Sequence, residues 1–310
     1  MIKNIVHMSV VLISVFGFCT FCAAPLFAGE WEYYKTIPSG AISDYTGSGF
    51  VNLAGFSDEN NGIAICTPKD LLITRDGGTH WELVNPLDVM YFDTFEVFNP
   101  EHLWVAGEID ICSSTDSGTT WSQLPKYGSI TIPGSHFISF VSPDEGWLGV
   151  CDGGSQPTLS HTRDGGKSWV AVQAPKKAEK LLWNMNFVSS DTGFILLFNG
   201  EVWQTRNGGI SWVKAGTIPS QGKALPTQNY GRPHSAMRFT DPLNGTVIVY
   251  FDKPRGFASF STSDGGHRWT ENPLPREATA FHGAIYLSRN GQFVTIGDLE
   301  SNALVVCRKK

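Results

Sequence analysis

The chain has 310 residues with 33 glycines, 10 tryptophans and only 17% charged residues, a make-up that fits short strands joined by many tight turns. No stretch carries the pattern of a long amphipathic helix, and the length suits one large all-β ring. A formal net charge of −6 without a basic stripe argues against nucleic acid as a partner.

The chain opens with Lys3 followed by an uncharged run from Met8 to Phe27, the layout of a secretory signal: a basic start, an apolar middle, then small residues. Residues 1–28 are expected to be this signal, with cleavage after Ala28, and residues 29–310 a single domain in the periplasm or outside the cell. An uncleaved membrane anchor is the competing reading, because the run is just long enough to span. Cys19 and Cys22 each follow a phenylalanine where lipidation requires a small residue. Cys66, Cys112, Cys151 and Cys307 remain in the mature part, where three disulfide pairings or free buried thiols are all open. Their spacing matches no zinc motif, and no metal or cofactor is called for.

One octet then recurs five times: Thr74 to Trp81, Ser114 to Trp121, Thr162 to Trp169, Thr205 to Trp212 and Thr262 to Trp269. Each fits Ser/Thr-x-Asp-x-Gly-x-x-Trp, with Asp76, Asp116, Asp164 and Asp264 at the acidic position and Asn207 in its place in the fourth copy. The residue types are those of a hairpin turn. A side-chain oxygen accepts loop N–H groups, glycine takes the positive-φ position, and Trp81, Trp121, Trp169, Trp212 and Trp269 pack back between sheets. Asn207 keeps the acceptor and loses only the charge, so these acids read as turn formers, not as calcium ligands or catalytic acids. Intervals of 40, 48, 43 and 57 residues suit four-stranded propeller blades.

About twenty residues before each octet an aromatic ends a strand and a polar turn follows: Phe56, Phe98, Phe140, Phe187, Phe239 and, once more than the octets, Tyr286. Six blades are predicted, with seven as the alternative. The missing outer strand sits at the other terminus, since Trp31 is followed by Thr36-Ile37-Pro38-Ser39 and Trp212 by Thr217-Ile218-Pro219-Ser220 at identical spacing. The N-terminal strand should therefore close the last blade and remove its open edge.

The octet is the Asp box, or BNR repeat, and through it the chain resembles sialidase-superfamily propellers. Its Thr-Arg-Asp-Gly-Gly-x-x-Trp wording is most similar to the photosystem II stability/assembly factor family of exported propellers. That resemblance implies a non-enzymatic, protein-binding assembly factor, here one acting on a partner in the cell envelope. A sialidase-like glycosidase or glycan-binding propeller is the alternative. Against it, Tyr34-Lys35-Thr36-Ile37-Pro38 lacks the arginine of the sialidase motif, Arg75, Arg163, Arg206 and Arg268 lie inside octets, and Arg232, Arg238, Arg255, Arg276 and Arg289 remain as site arginines without a supporting motif.

In a propeller the octet turns and the turns after each first strand emerge on one face, and the longer connections on the other. Two of those connections are long, 39–50 and 217–235, and in a six-membered ring they flank blade 6. Together with the blade 5 hairpin they offer Asp44, Tyr45, Tyr230, Arg232, His234, Asp252 and Arg255 as candidate binding residues. His136 and His282, each four residues before its blade's aromatic, are placed near the mouth of the axial channel, where packed or solvated imidazoles outweigh a metal site.

Overall fold

A computed structural model describes residues 31–42, 51–66, 70–84, 92–107, 111–125, 135–151, 157–175, 182–220, 222–223, 225, 234–281, 283–297, 301 and 303–310. The expected signal segment 1–28 lies outside these residues, as do Asp44, Tyr45, Tyr230, Arg232 and His282.

The described strands form six antiparallel four-stranded sheets. Blade 1 consists of β2 (Val51–Phe56), β3 (Gly62–Cys66), β4 (Asp70–Thr74) and β5 (Glu82–Val84). Blade 2 follows with β6 (Phe92–Val97), β7 (Leu103–Gly107), β8 (Ile111–Ser114) and β9 (Ser122–Gln123), and blade 3 with β10 (Ser135–Phe140), β11 (Gly146–Cys151), β12 (Thr158–Thr162) and β13 (Val170–Val172). Blade 4 is β14 (Leu182–Phe187), β15 (Thr192–Leu197), β16 (Glu201–Arg206) and β17 (Val213–Thr217), and blade 5 is β18 (Ser235–Phe239), β19 (Gly245–Asp252), β20 (Arg255–Thr262) and β21 (Thr270–Asn272). A single helical turn, α1 (Arg276–Thr279), leads to β22 (Ile285–Leu287), β23 (Phe293–Gly297) and β24 (Leu304–Lys309). The outer strand of blade 6 is β1 (Trp31–Ile37), paired antiparallel to β24 from Trp31↔Lys309 to Ile37↔Leu304. First strands neighbour one another in sequence order and the ring closes between blades 6 and 1, giving the six-bladed propeller with its N-terminal closing strand.

The local chemistry of the octets explains why each blade ends where it does. In every copy the first hydroxyl accepts from the N–H of the glycine at the fifth position, at 2.8 Å for Thr74 and Gly78 and 3.0 Å for Thr262 and Gly266. The acidic residue accepts from the N–H four positions on: His80, Thr120, Ser168 and Arg268 at 2.7–2.9 Å. Asn207 repeats this bond to Ser211 at 2.9 Å, and its Nδ2 donates to the Ser211 hydroxyl where Asp164 instead accepts from the Ser168 hydroxyl. Gly77 and Gly78 take φ values of +74° and +86°, which a side chain would strain. These bonds hold the Asp76 and Asp264 carboxyls down at about 2, chiefly through the His80 and Arg268 backbone N–H groups.

Packing between blades is aromatic. Phe140 stacks on Trp104 with ring centroids 3.8 Å apart, Phe187 on Trp147 at 3.8 Å and Phe239 on Phe194 at 3.5 Å, so the end of each first strand is clamped by the second strand of the blade before it. Six buried apolar clusters result, one for each step around the ring. The strand-ending position itself needs correction. The N–H after it closes the turn in all six blades, and that pattern selects Val97 and Leu287, not Phe98 and Tyr286. Phe98 lies in the turn, and Tyr286 turns toward the axis, over Gly55. Cys66, Cys112, Cys151 and Cys307 are buried and form no disulfide with one another, and burial pushes the Cys66 and Cys307 thiols up to about 12.

Two outcomes follow from the closure and the turns. Trp31, buried with its Nε1 donating to Ser259 Oγ, joins β1 to blade 5, and Trp31→Ala should lower unfolding stability in urea by about 3–5 kcal/mol. The turn acids are depressed on folding, so their stabilisation is present above about 4 and is lost as pH falls toward about 2. Thermal midpoints should therefore drop across that window, and Asp264→Asn should flatten the drop, as the natural Asn207 turn needs no charge.

Candidate functional site

The residues one position before each strand end form an axial layer, one per blade: Gly55, which has no side chain, Glu96, Ser139, Asn186, Arg238 and Tyr286. Glu96 belongs to blade 2 and Arg238 to blade 5, directly across a six-membered ring. Arg238 spans the channel and donates from both terminal nitrogens to the two Glu96 carboxylate oxygens at 3.2 Å. Arg289, from the turn after β22, adds a bond to Glu96 Oε1 at 3.1 Å, donates to Phe140 O at 2.6 Å and stacks its guanidinium 4.2 Å from the Phe98 ring centre. Glu96 is 2% exposed and Arg238 7%, so the cluster is a buried plug with one net positive charge. Burial, and then Glu96, pushes the Tyr286 phenol up; burial draws the Arg289 guanidinium down.

The remaining members of this layer are structural clasps. Ser139 Oγ accepts from Phe187 N at 2.8 Å and Asn186 Oδ1 from Phe239 N at 2.7 Å, each tying one blade to the next. The plug separates a small inner cavity of about 80 Å³, lined by first-strand residues of the blades, from a bowl of about 560 Å³ on the turn face. Arg238 is common to the two linings. At the far end of the inner cavity, His136 pairs with Asp93, Nδ1 to Oδ2 at 2.9 Å. Asp93 is set there by a register shift between Phe92 and Thr94, which frees one residue of β6 to lean toward blade 3.

Of the sequence-derived binding residues, the structure describes three. His234 is buried at the start of blade 5, its carbonyl accepting from Tyr250 N at 3.0 Å. Asp252 and Arg255 face each other across the β19–β20 hairpin at the same end of that blade. Nearby Lys223 pairs with Glu271 and lies over the Phe251 ring, which fastens the 217–225 connection onto blade 5. Asp44, Tyr45, Tyr230 and Arg232 lie outside the described residues. Of the site arginines, Arg238 and Arg289 converge on one carboxylate; Arg276 sits on α1, away from them. Glu96 and Asp93 carried no motif. The one signal for Glu96 is a charge flanked by Phe95 and Val97 in a strand, mirrored by Arg238 between Met237 and Phe239.

Among the described residues no group of three or more His, Cys, Asp and Glu side chains could hold a metal ion. The turn acids make hydrogen bonds within their own turns, and the axial acid is clamped by two arginines. The described arrangement thus places exposed hydrogen-bonding groups around an axis closed by Glu96, Arg238 and Arg289.

No family model and no curated protein matches the chain. Solved structures do. A Bacteroides thetaiotaomicron protein of unknown function is 12% identical, with a TM-score of 0.56 over 84% of this chain and 70% of that one. An ancestral GH74 enzyme is 14% identical at TM-score 0.53 over 81% of this chain, which spans about a third of the enzyme's length, 35%. YCF48 bound to a D1 peptide is 17% identical at TM-score 0.49, covering 91% of this chain and 96% of that one. At such identities the likeness shows the propeller fold alone.

The plug is open to a stability test. Glu96→Ala leaves the buried Arg238 guanidinium uncompensated and takes one partner from the partly exposed Arg289, and should cost about 3–5 kcal/mol in urea unfolding. Arg238→Met should cost less, because Glu96 keeps Arg289.

Proposed function

We propose that the protein is an exported, non-enzymatic Asp-box propeller that binds a protein partner in the cell envelope, in the manner of an assembly or stability factor. The observation that supports this most is the state of the axis. The acid best placed for chemistry, Glu96, is 2% exposed and held by Arg238 and Arg289, so these arginines clamp the protein's own carboxylate instead of presenting a substrate clamp. A glycosidase needs two carboxyl groups flanking a bond with room for a sugar between them, and the 80 Å³ cavity behind the plug has no such room.

The partner-binding surface in this reading is the face opposite the turns, where the connections around 39–50 and 217–235 are longer than the repeat requires. Its described part is the end of blade 5 with Asp252, Arg255 and the anchored Lys223. Export follows from the signal-like segment at 1–28 and implies a mature chain that begins at Gly29.

Three measurements bear on the proposal. Affinity capture from envelope extract should recover a defined set of proteins, and the double charge reversal Asp252→Lys with Arg255→Glu should reduce that recovery about tenfold, the size of effect expected for two interface charges. Assays with a fluorogenic sialoside and with xyloglucan oligosaccharides should show no turnover; hydrolysis abolished by Glu96→Gln would replace this reading with a glycosidase. N-terminal sequencing of the exported protein should begin at Gly29.

A further inference from the structure

Five of the six steps around the ring are filled in the same way, by the octet turn of the following blade. Gly118 of blade 2 packs over Ile73 of blade 1, Gly166 of blade 3 against Leu124, Gly209 of blade 4 against Val172, and Gly266 of blade 5 against Val202 and Ala215. Where blade 6 meets blade 1, Gly78 lies on Ile37 and Lys35 Nζ donates to Gly77 O at 2.7 Å. Two of these steps carry an indole bond to the turn: Trp104 Nε1 to Gly165 O and Trp147 Nε1 to Gly208 O, both 3.2 Å.

The step from blade 5 to blade 6 is different. Strand β1 comes from the other end of the chain than β24, so no hairpin joins them and no octet turn stands there among the described residues. The wall that such a turn would meet is different too. Strand register places Arg238, Thr246, Ser261 and Thr270 in one row across blade 5. The corresponding rows begin Glu96 and Trp104 in blade 2, Ser139 and Trp147 in blade 3, and Asn186 and Phe194 in blade 4. Where those three blades present an aromatic, blade 5 presents a threonine; blades 1 and 6 have Ile63 and Thr295 at the same position. A slot of about 760 Å³ lies between this row and Asn290, Gly291, Gln292 and Lys309 of blade 6. It shares Arg238, Thr240 and Asn290 with the bowl at the axis, so slot and bowl form one trough from centre to rim on the turn face.

We propose that this slot is a docking site for a tight turn of a partner polypeptide, seated where the other five steps hold an octet turn. The chemistry is that of backbone recognition. The Thr246 hydroxyl occupies the row position from which Trp104 and Trp147 donate to a glycine carbonyl, and Ser261, Thr270 and Gln292 offer further donors and acceptors around it. Lys309 lines one edge, and at the other Arg268 is paired with Asp264 at 2.9 Å, so recognition rests on the hydroxyl and amide groups between them. The proposal rests on the reading of the protein as a protein-binding scaffold and adds to it a site on the face opposite the long connections.

The probe is a disulfide-closed peptide with the sequence of Thr162 to Trp169, titrated into the full mature protein and followed by isothermal calorimetry and amide chemical shifts. Saturable binding is expected, with shifts centred on Thr246, Ser261 and Gln292. Filling the slot should weaken it at least about tenfold in each of two variants, the buried Thr246→Trp and the exposed Gln292→Trp, the second guarding against misfolding of the first. Absence of saturable binding at millimolar peptide, binding indifferent to both substitutions, displacement by neutral oligosaccharides, or contacts from the chain's own N-terminal segment to Thr246 in the free protein would each overturn the proposal. Envelope partners still captured by both variants would leave the scaffold reading in place and remove only this site. Peptide binding without any captured partner would do the reverse.

Discussion

The structure depends on closing a ring of sheets without a free edge. A four-stranded blade presents unpaired N–H and C=O groups on its outermost strand, and a ring presents a seam wherever chain ends meet. Here the seam is placed inside a sheet. β1 pairs with β24 over its whole length, Trp31 anchors it to blade 5 and Ile37 to blade 1. Breaking the ring therefore means breaking strand pairing as well as packing, and the two ends of the chain hold each other.

That solution has a local consequence. A blade closed by two separate segments cannot have a hairpin between its third and fourth strands, so it cannot carry an octet turn there. The turns do two things at once. They satisfy their own backbone through one hydroxyl and one carboxylate or amide, and they present glycine carbonyls and a flat surface to the preceding blade. Where the turn is missing, both the bonds and the surface are missing, which makes the sixth step unlike the rest.

Much of this was legible in the sequence because turn chemistry is local and repeated. Hydroxyl, acid and glycine at fixed offsets identified five hairpins, and the matching Thr-Ile-Pro-Ser segments after Trp31 and Trp212 revealed the closing strand; Ile37 and Ile218 are each 3% exposed in the structure. The axial cluster was not legible, because nothing local connects Glu96 to Arg238, 142 residues away. The choice of Tyr286 as a strand end failed for a related reason. Aromatic character marks that position in four blades, but in blade 6 Leu287 ends the strand and the tyrosine reaches the axis, where the absence of a side chain on Gly55 makes room for its ring. The octet turns repeat on one face in five steps of six.

Two independent features agree at the sixth step. Topology removes the octet turn, and the facing row of blade 5 carries Thr246, Ser261 and Thr270 where the rows of blades 2, 3 and 4 carry an aromatic. Had blade 5 kept a tryptophan or phenylalanine in place of Thr246, an apolar surface would stand open at this step. The residues of blade 5 thus match an open step, wetted and able to form hydrogen bonds, and the plug formed by Glu96, Arg238 and Arg289 stops that opening from continuing down the axis. A nearly symmetric scaffold acquires one inequivalent position from its closure alone, and the sequence around that position has the composition of a surface meant to be met by another backbone.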